Sequence, residues 1–150
     1  MSGYNLFQNA GDNKIPMQLQ HSLHILVADD HTDFRKCLVK LLGFMPEITR
    51  ISEAANGREA VDQLARELHD VVLLDTHMPV LDGLQTTRQI KARWPQTKVI
   101  LLSVDPYLRA EALASGADRF LAKDQIVPNL LDLLTTLTSN AAMPLSALLS

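Results

Sequence analysis

Between residues 24 and 123, short apolar runs alternate with longer stretches of helical spacing. The runs are HILVAD (24–29), ITRISEA (48–54), VVLLD (71–75), KVILLS (98–103) and RFLAK (119–123). Each is strand-sized. Several are apolar at consecutive positions, as expected where both faces of a sheet are covered. Between them, Phe34, Cys37, Leu38, Leu41 and Leu42 follow a three-four spacing that stops at Gly43. Val61, Leu64, Ala65 and Leu68 do the same after Asn56-Gly57, and Gly83, Thr87, Ile90 and Trp94 do so up to Pro95. A thinner stripe, Leu108 and Ala112, spans 106–115 and ends at Gly116. Leu130, Leu133, Leu134 and Leu137 supply a fifth helix face. Five strands alternating with five helices predict an α/β fold with a parallel sheet, helices on both faces and right-handed crossovers.

Length and composition narrow this further. With 150 residues, 47% of them hydrophobic, the chain suits one compact domain with one well-buried core. A net charge of -3 argues against direct nucleic-acid binding by this chain. The single cysteine, Cys37, excludes an internal disulfide, fits a reduced cytoplasmic compartment and reads as a small apolar residue on a helix face. The start, MSGYNLFQNAGDNKIPMQLQHS, lacks the basic and apolar regions of a secretory signal, and no apolar run reaches the roughly 20 residues of a membrane span. Residues 1–22 read as a flexible N-terminal extension, 23–138 as the domain, and 139–150 as a C-terminal tail or linker stub.

Candidate chemistry follows from the strand ends, because open α/β sheets bind ligands outside the carboxyl ends of their strands. Asp29 and Asp30 follow the first strand. Asp75 ends the third, Ser103 ends the fourth and Lys123 follows the fifth. Three carboxylates gathered at one rim repel one another and call for a cation, and such oxygen ligands suit Mg2+. A carboxylate can attack phosphorus, while a metal and a lysine neutralise the phosphoryl oxygens. Each residue also has a plainer reading. Asp29 or Asp30 could cap the next helix, and Asp75, Ser103 and Lys123 could be solvated loop residues. Spacing alone leaves both readings open.

Four motifs add to it: ILVADDH (25–31), VVLLDTHMPVLDGL (71–84), VILLS (99–103) and SGADRFLAKD (115–124). In this order and spacing the chain resembles the receiver domain of two-component response regulators, over roughly residues 23–138. The motifs are most similar to receivers that precede helix-turn-helix output domains. The resemblance implies a flavodoxin-like (βα)5 three-layer sandwich with a five-stranded parallel sheet in the order 2-1-3-4-5. It implies that Asp75 is the phosphoacceptor, that Asp30 binds Mg2+ (or Mn2+) directly and Asp29 mainly through water, and that the backbone carbonyl of His77 is a further metal ligand. Lys123 matches the lysine of the phosphate site, Ser103 the switch hydroxyl and Phe120 the switch aromatic, which turns inward on phosphorylation. Pro79 and Gly83 match turn residues after the acceptor. The implied partner is a sensor histidine kinase or phosphotransfer protein. The implied output surface is the fourth helix, fifth strand and fifth helix, through which many relatives form homodimers.

The chain departs from the pattern at two places. Phe120 stands where tyrosine is frequent, and Asp124 follows Lys123 where many members have proline, so Asp124 is a candidate cap for the fifth helix. His77 and Asp105, near the rim, are candidates for tuning phosphoryl lifetime. A metal cluster of His21, His24 and His31 is disfavoured because strand alternation separates neighbours. The leading expectation is a phosphoacceptor signalling domain with slow self-dephosphorylation and no turnover of an outside metabolite. The alternative is a phosphorylation-independent interaction module on the same fold. A hydrolase with an aspartyl nucleophile is a third reading, for which no substrate-binding residues are evident.

Overall fold

The computed structural model describes residues 22–130, 132 and 134–135. The sequence-based expectations of an extension over residues 1–22, apart from Ser22, and of a tail over 139–150 lie outside these residues. The elements run β1 (Leu23–Ala28), α1 (Thr32–Leu42), β2 (Ile48–Ala54), α2 (Gly57–Arg66), β3 (Val71–Asp75), α3 (Gly83–Arg93) and β4 (Lys98–Ser103). A 3-10 turn (Pro106–Leu108) then leads into α4 (Arg109–Ala114), followed by β5 (Arg119–Ala122) and a second 3-10 turn (Lys123–Gln125). The last helix, α5, covers 126–130 and continues at 132 and 134–135. All strand pairs are parallel and the sheet order is β2-β1-β3-β4-β5. This is the expected 2-1-3-4-5 order. Among the described residues no helix is long and apolar enough to cross a membrane.

Strand alternation divides the core into two layers. Ile25, Val27, Val71, Leu73, Ile100 and Leu102 face one side, where Leu38 and Leu42 of α1 and Leu130 and Leu134 of α5 cover them. Leu26, Ala28, Val72, Leu74, Val99 and Leu101 face the other, against Ala60 and Leu64 of α2, Ile90 of α3 and Ala112 of α4. These central strands are buried on both faces, which is why they read as apolar runs.

Helix ends follow local chemistry. Asn56 Oδ1 accepts from the Glu59 N–H at the start of α2, at 2.9 Å. Asp82 and Gln85 form a reciprocal capping box at the start of α3. Of the described residues read as apolar helix-face positions, three are exposed, Ala65 among them. Leu68 is exposed, because Glu67 adopts an extended backbone that ends α2 at Arg66. Cys37 is exposed rather than packed on the apolar face of α1. At the amino end of the sheet, the buried rings of His24 and His69 stack with centroids 3.8 Å apart. The Ser52 hydroxyl bridges their Nε2 atoms at 2.8 and 3.3 Å.

Candidate phosphoacceptor and metal site

Sheet register assembles the carboxyl-end rim. Ala28 pairs with Leu74, so the next residues, Asp29 and Asp75, emerge side by side. Asp75 pairs with Leu102, which sets Ser103 one residue beyond. Ser103 pairs with Ala122, which sets Lys123 one residue beyond that. Four strands thus deliver four of the predicted side chains to one edge.

Lys123 ties them together. Its Nζ donates to Asp29 Oδ2 at 2.8 Å and lies 3.3 Å from Asp75 Oδ1. The phenyl ring of Phe34 sits beneath the same ammonium, its centroid 4.2 Å from Nζ, a cation–π contact. Asp29 and Asp75 are buried, while Asp30 is exposed. Burial pushes the Asp75 carboxyl above the usual carboxylate range, and the charge of Asp29 adds to this. Lys123 and the His77 backbone N–H oppose that shift. A buried acid strained in this way gains from a bound cation.

The donor set fits such a cation. One ligand atom each from Asp29, Asp30, His31 and Asp75 lies within 4.8 Å of the others. Oxygen donors of this kind suit Mg2+ or Mn2+. Beside the acids opens a groove of about 440 Å³, lined by His31, Thr32, Asp33, Phe34, Val104 and Lys123.

The remaining predicted residues frame this centre. Ser103 is fully buried, and its Oγ accepts the Asp105 N–H at 2.9 Å. Asp105 in turn caps the following 3-10 turn by accepting from the Tyr107 N–H at 2.9 Å. Phe120 is already packed inward, 7% exposed, in the core layer with Leu101 and Ala112. A ring without a hydroxyl has no polar group to keep in water, so burial favours it. Asp124 lies inside the 3-10 turn Lys123–Gln125 rather than at the α5 cap. The side chain of His77 is exposed.

After Asp75, Val80 takes a positive φ of 71° in a tight turn closed by the Leu81 N–H donating to the Pro79 carbonyl at 2.7 Å. A β-branched residue is strained there. Gly83 then lets α3 start directly against Asp75. A Cβ at this position would strike the Asp75 carbonyl oxygen and sit 2.7 Å from Thr76 Cα. The buried Thr76 hydroxyl has no hydrogen-bond partner among the described residues.

Sequence reasoning missed three neighbours of the site. Phe34 was read only as core. His31 was set aside with the other histidines. Arg35 carried no signal, yet its Nη1 donates to the Asp29 carbonyl at 2.6 Å and its Nε to Glu53 at 2.9 Å. Glu53 also receives Lys36 at 3.0 Å, so the end of β2 braces the turn that carries the acid pair. The partner of Arg35 lies 18 residues away, which no local pattern announces.

Fold and rim define a class, the doubly wound α/β module with an acidic centre at the carboxyl ends of its strands. The chain belongs to the response regulator receiver domain family, whose model matches residues 25–135. It is 37% identical over 120 residues to the transcriptional regulatory protein LnrK of Bacillus subtilis, a match covering 78% of this chain and 54% of that protein. The signal receiver domain of the response regulator NarL from Mycobacterium tuberculosis superposes with a TM-score of 0.68 at 34% identity, over 75% of this chain and 96% of that one. The response regulator TrrA of Thermotoga maritima, solved in complex with Mg2+–BeF, gives a TM-score of 0.70 at 29% identity, over 77% and 98%. The chain spans about half the length of curated relatives such as LnrK and DegU.

Proposed function

We propose that Asp75 accepts a phosphoryl group from a partner histidine kinase or phosphotransfer protein, in a reaction that depends on Mg2+ or Mn2+. The observation that carries this reading is the bridge of Lys123 between Asp29 and Asp75 at the carboxyl edge. It sets a cation where the charge of a transferring phosphoryl group would develop. An Asp75 oxygen attacks phosphorus, the phosphorus–nitrogen bond to the donor imidazole breaks, and that imidazole leaves as the neutral ring after taking a proton. Asp30 would hold the metal directly, Asp29 mainly through water and His77 through its carbonyl, and the bound ion would supply charge neutralisation. Lys123 orients the phosphoryl group and offsets its charge. The solved complex of TrrA with Mg2+–BeF supports the same chemistry by similarity.

In this reading Ser103 exchanges its loop contact for a phosphoryl oxygen. The Asp105 N–H it now accepts would be released, which moves the turn leading into α4. The elements α4, β5 and α5 form the output surface, and Tyr107, Leu113 and Val127 are exposed in or beside them. That surface is also the proposed route to a homodimer. His77 and Asp105 are placed to tune the phosphoryl lifetime, and the domain acts in the cytoplasm.

The test uses Mg2+ and acetyl phosphate with intact-mass analysis. A base-labile phosphoryl adduct is expected on the wild-type chain and not on Asp75→Asn. No adduct on the wild type, with a donor proven on another receiver, would favour a phosphorylation-independent interaction module.

A further inference from the structure

The phosphoacceptor reading leaves the imidazole of His31 unused. His31 is the N-cap of α1 but makes no side-chain cap bond. Its backbone N–H donates to Asp29 Oδ1 at 2.8 Å, which holds the residue over the acids. Its Nδ1 lies 3.5 Å from Asp30 Oδ1 and 3.6 Å from Asp29 Oδ1. With Asp75 included, one nitrogen and three oxygens stand within 4.8 Å of one another.

We propose that His31 gives this centre a second metal preference, for a nitrogen-accepting divalent transition ion of the Zn2+ or Co2+ kind, held by His31 with Asp29, Asp30 and Asp75. The proposal rests on the metal site of the phosphoacceptor reading. Mg2+ takes oxygen ligands and keeps several waters, so the imidazole contributes little to holding it. Zn2+ and Co2+ bind imidazole well.

The spacing points the same way. A four-coordinate ion with bonds of about 2.0–2.1 Å needs ligand atoms about 3.3–3.4 Å apart. The two His31 separations, 3.6 and 3.5 Å, exceed this by only about 0.2 Å, while the four ligand atoms as a set spread over as much as 4.8 Å, so side chains must draw inward by on the order of 1 Å to close on one ion. The exposed His31 ring and the exposed Asp30 carboxylate are free to close the difference. Lys123 need not be displaced from Asp29, because it holds Oδ2 while His31 approaches Oδ1.

The consequence is regulatory. An ion held by four side chains keeps no open position of the kind a catalytic site needs. Such an ion competes with Mg2+ and blocks entry of the phosphoryl group.

Calorimetric titration of the metal-free full chain with Zn2+ and with Mg2+ tests this, on the wild type and on His31→Gln. The ratio of Zn2+ to Mg2+ affinity is expected to fall about tenfold or more in the variant, because even the outer-shell partners of metal ligands are worth about that much. Saturating Mg2+ is expected to weaken Zn2+ binding to the wild type. The wild-type Co2+ complex should show the intense visible absorption of a four-coordinate ion. An affinity ratio that stays within about twofold of wild type overturns the proposal, as does Zn2+ binding indifferent to Mg2+ or a weak six-coordinate Co2+ spectrum. Acetyl phosphate labelling separates the two levels. If wild type is labelled on Asp75 and binds Mg2+ but Zn2+ binding ignores His31, only this inference fails. If wild type is not labelled and binds no Mg2+, the underlying reading fails with it.

Discussion

Replacing Gly83 by alanine should disturb Asp75, the proposed acceptor, directly, although residue 83 would itself touch no phosphoryl group. The added Cβ would strike the Asp75 carbonyl oxygen and stand 2.7 Å from Thr76 Cα. Non-bonded carbons prefer about 3.5–4.0 Å, so roughly 1 Å of movement must be found. Both neighbours are backbone atoms at the end of a central strand, so the adjustment cannot be absorbed by a side-chain rotation. Overpacking of this kind costs about 1–3 kcal/mol. Alanine recovers about 1 kcal/mol of helix propensity, which leaves a net loss of about 0–2 kcal/mol. A displacement of about 1 Å at a reacting group is worth on the order of a hundredfold in rate. Gly83→Ala should therefore lower the urea midpoint modestly and the rate of acetyl phosphate labelling severely. Wild-type labelling with reduced stability would mean that α3 yields rather than Asp75, and would refute the coupling argued from this contact.

Three further outcomes follow from the same geometry. Asp75 has its carboxyl pushed above the ordinary value of 3.8 by burial and by Asp29, so its contribution to stability is present below that value and is lost as pH rises through the folded pKa. Asp75→Asn should accordingly raise the urea midpoint of the metal-free protein near neutral pH, and the gain should shrink as pH falls towards 3.8. Lys123→Met leaves two carboxylates facing each other without a cation. It should cost about 3 kcal/mol in equilibrium unfolding and abolish labelling, with part of the stability returned by adding Asp75→Asn. The buried His69 is held below the ordinary 6.5, by burial first and then by the charge of His24. Its share of stability is present above 6.5 and is lost as pH falls through the folded pKa. Denaturation midpoints should fall between about pH 7 and pH 5, and the fall should be smaller in His24→Gln.

Much of this structure could be read from the chain. The runs at 71–75 and 98–103 coincide with strands because strands buried on both faces must be apolar along their length, whereas the run at 48–54 forms an edge strand that is mostly exposed or half-buried and carries polar residues between its apolar ones. Asp29, Asp75, Ser103 and Lys123 were legible as a group because parallel register sends every strand end to the same edge. Leu68 was misread because a three-four spacing cannot show that Glu67 turns the backbone extended. The stretch 106–115 split into a 3-10 turn and a short helix, as Asp105 caps one turn and Pro106 starts it. The brace of Arg35 on Asp29, the Phe34 ring under Lys123 and the His24–His69 stack were illegible. Each joins residues from separate elements through contacts that leave no periodic trace.

The bridge between Asp29 and Lys123 spans 94 positions of the chain. The rim that Asp75 shares with them exists only when β1, β3 and β5 are aligned in one sheet. No contiguous fragment short of nearly the whole domain contains it, and a folding intermediate that lacks β5 lacks its ammonium. Acquisition of a phosphoryl group by Asp75 would thus report completed folding. A pulse of acetyl phosphate during refolding would count only finished molecules, and a nascent chain would stay silent to its donor until its fifth strand has docked.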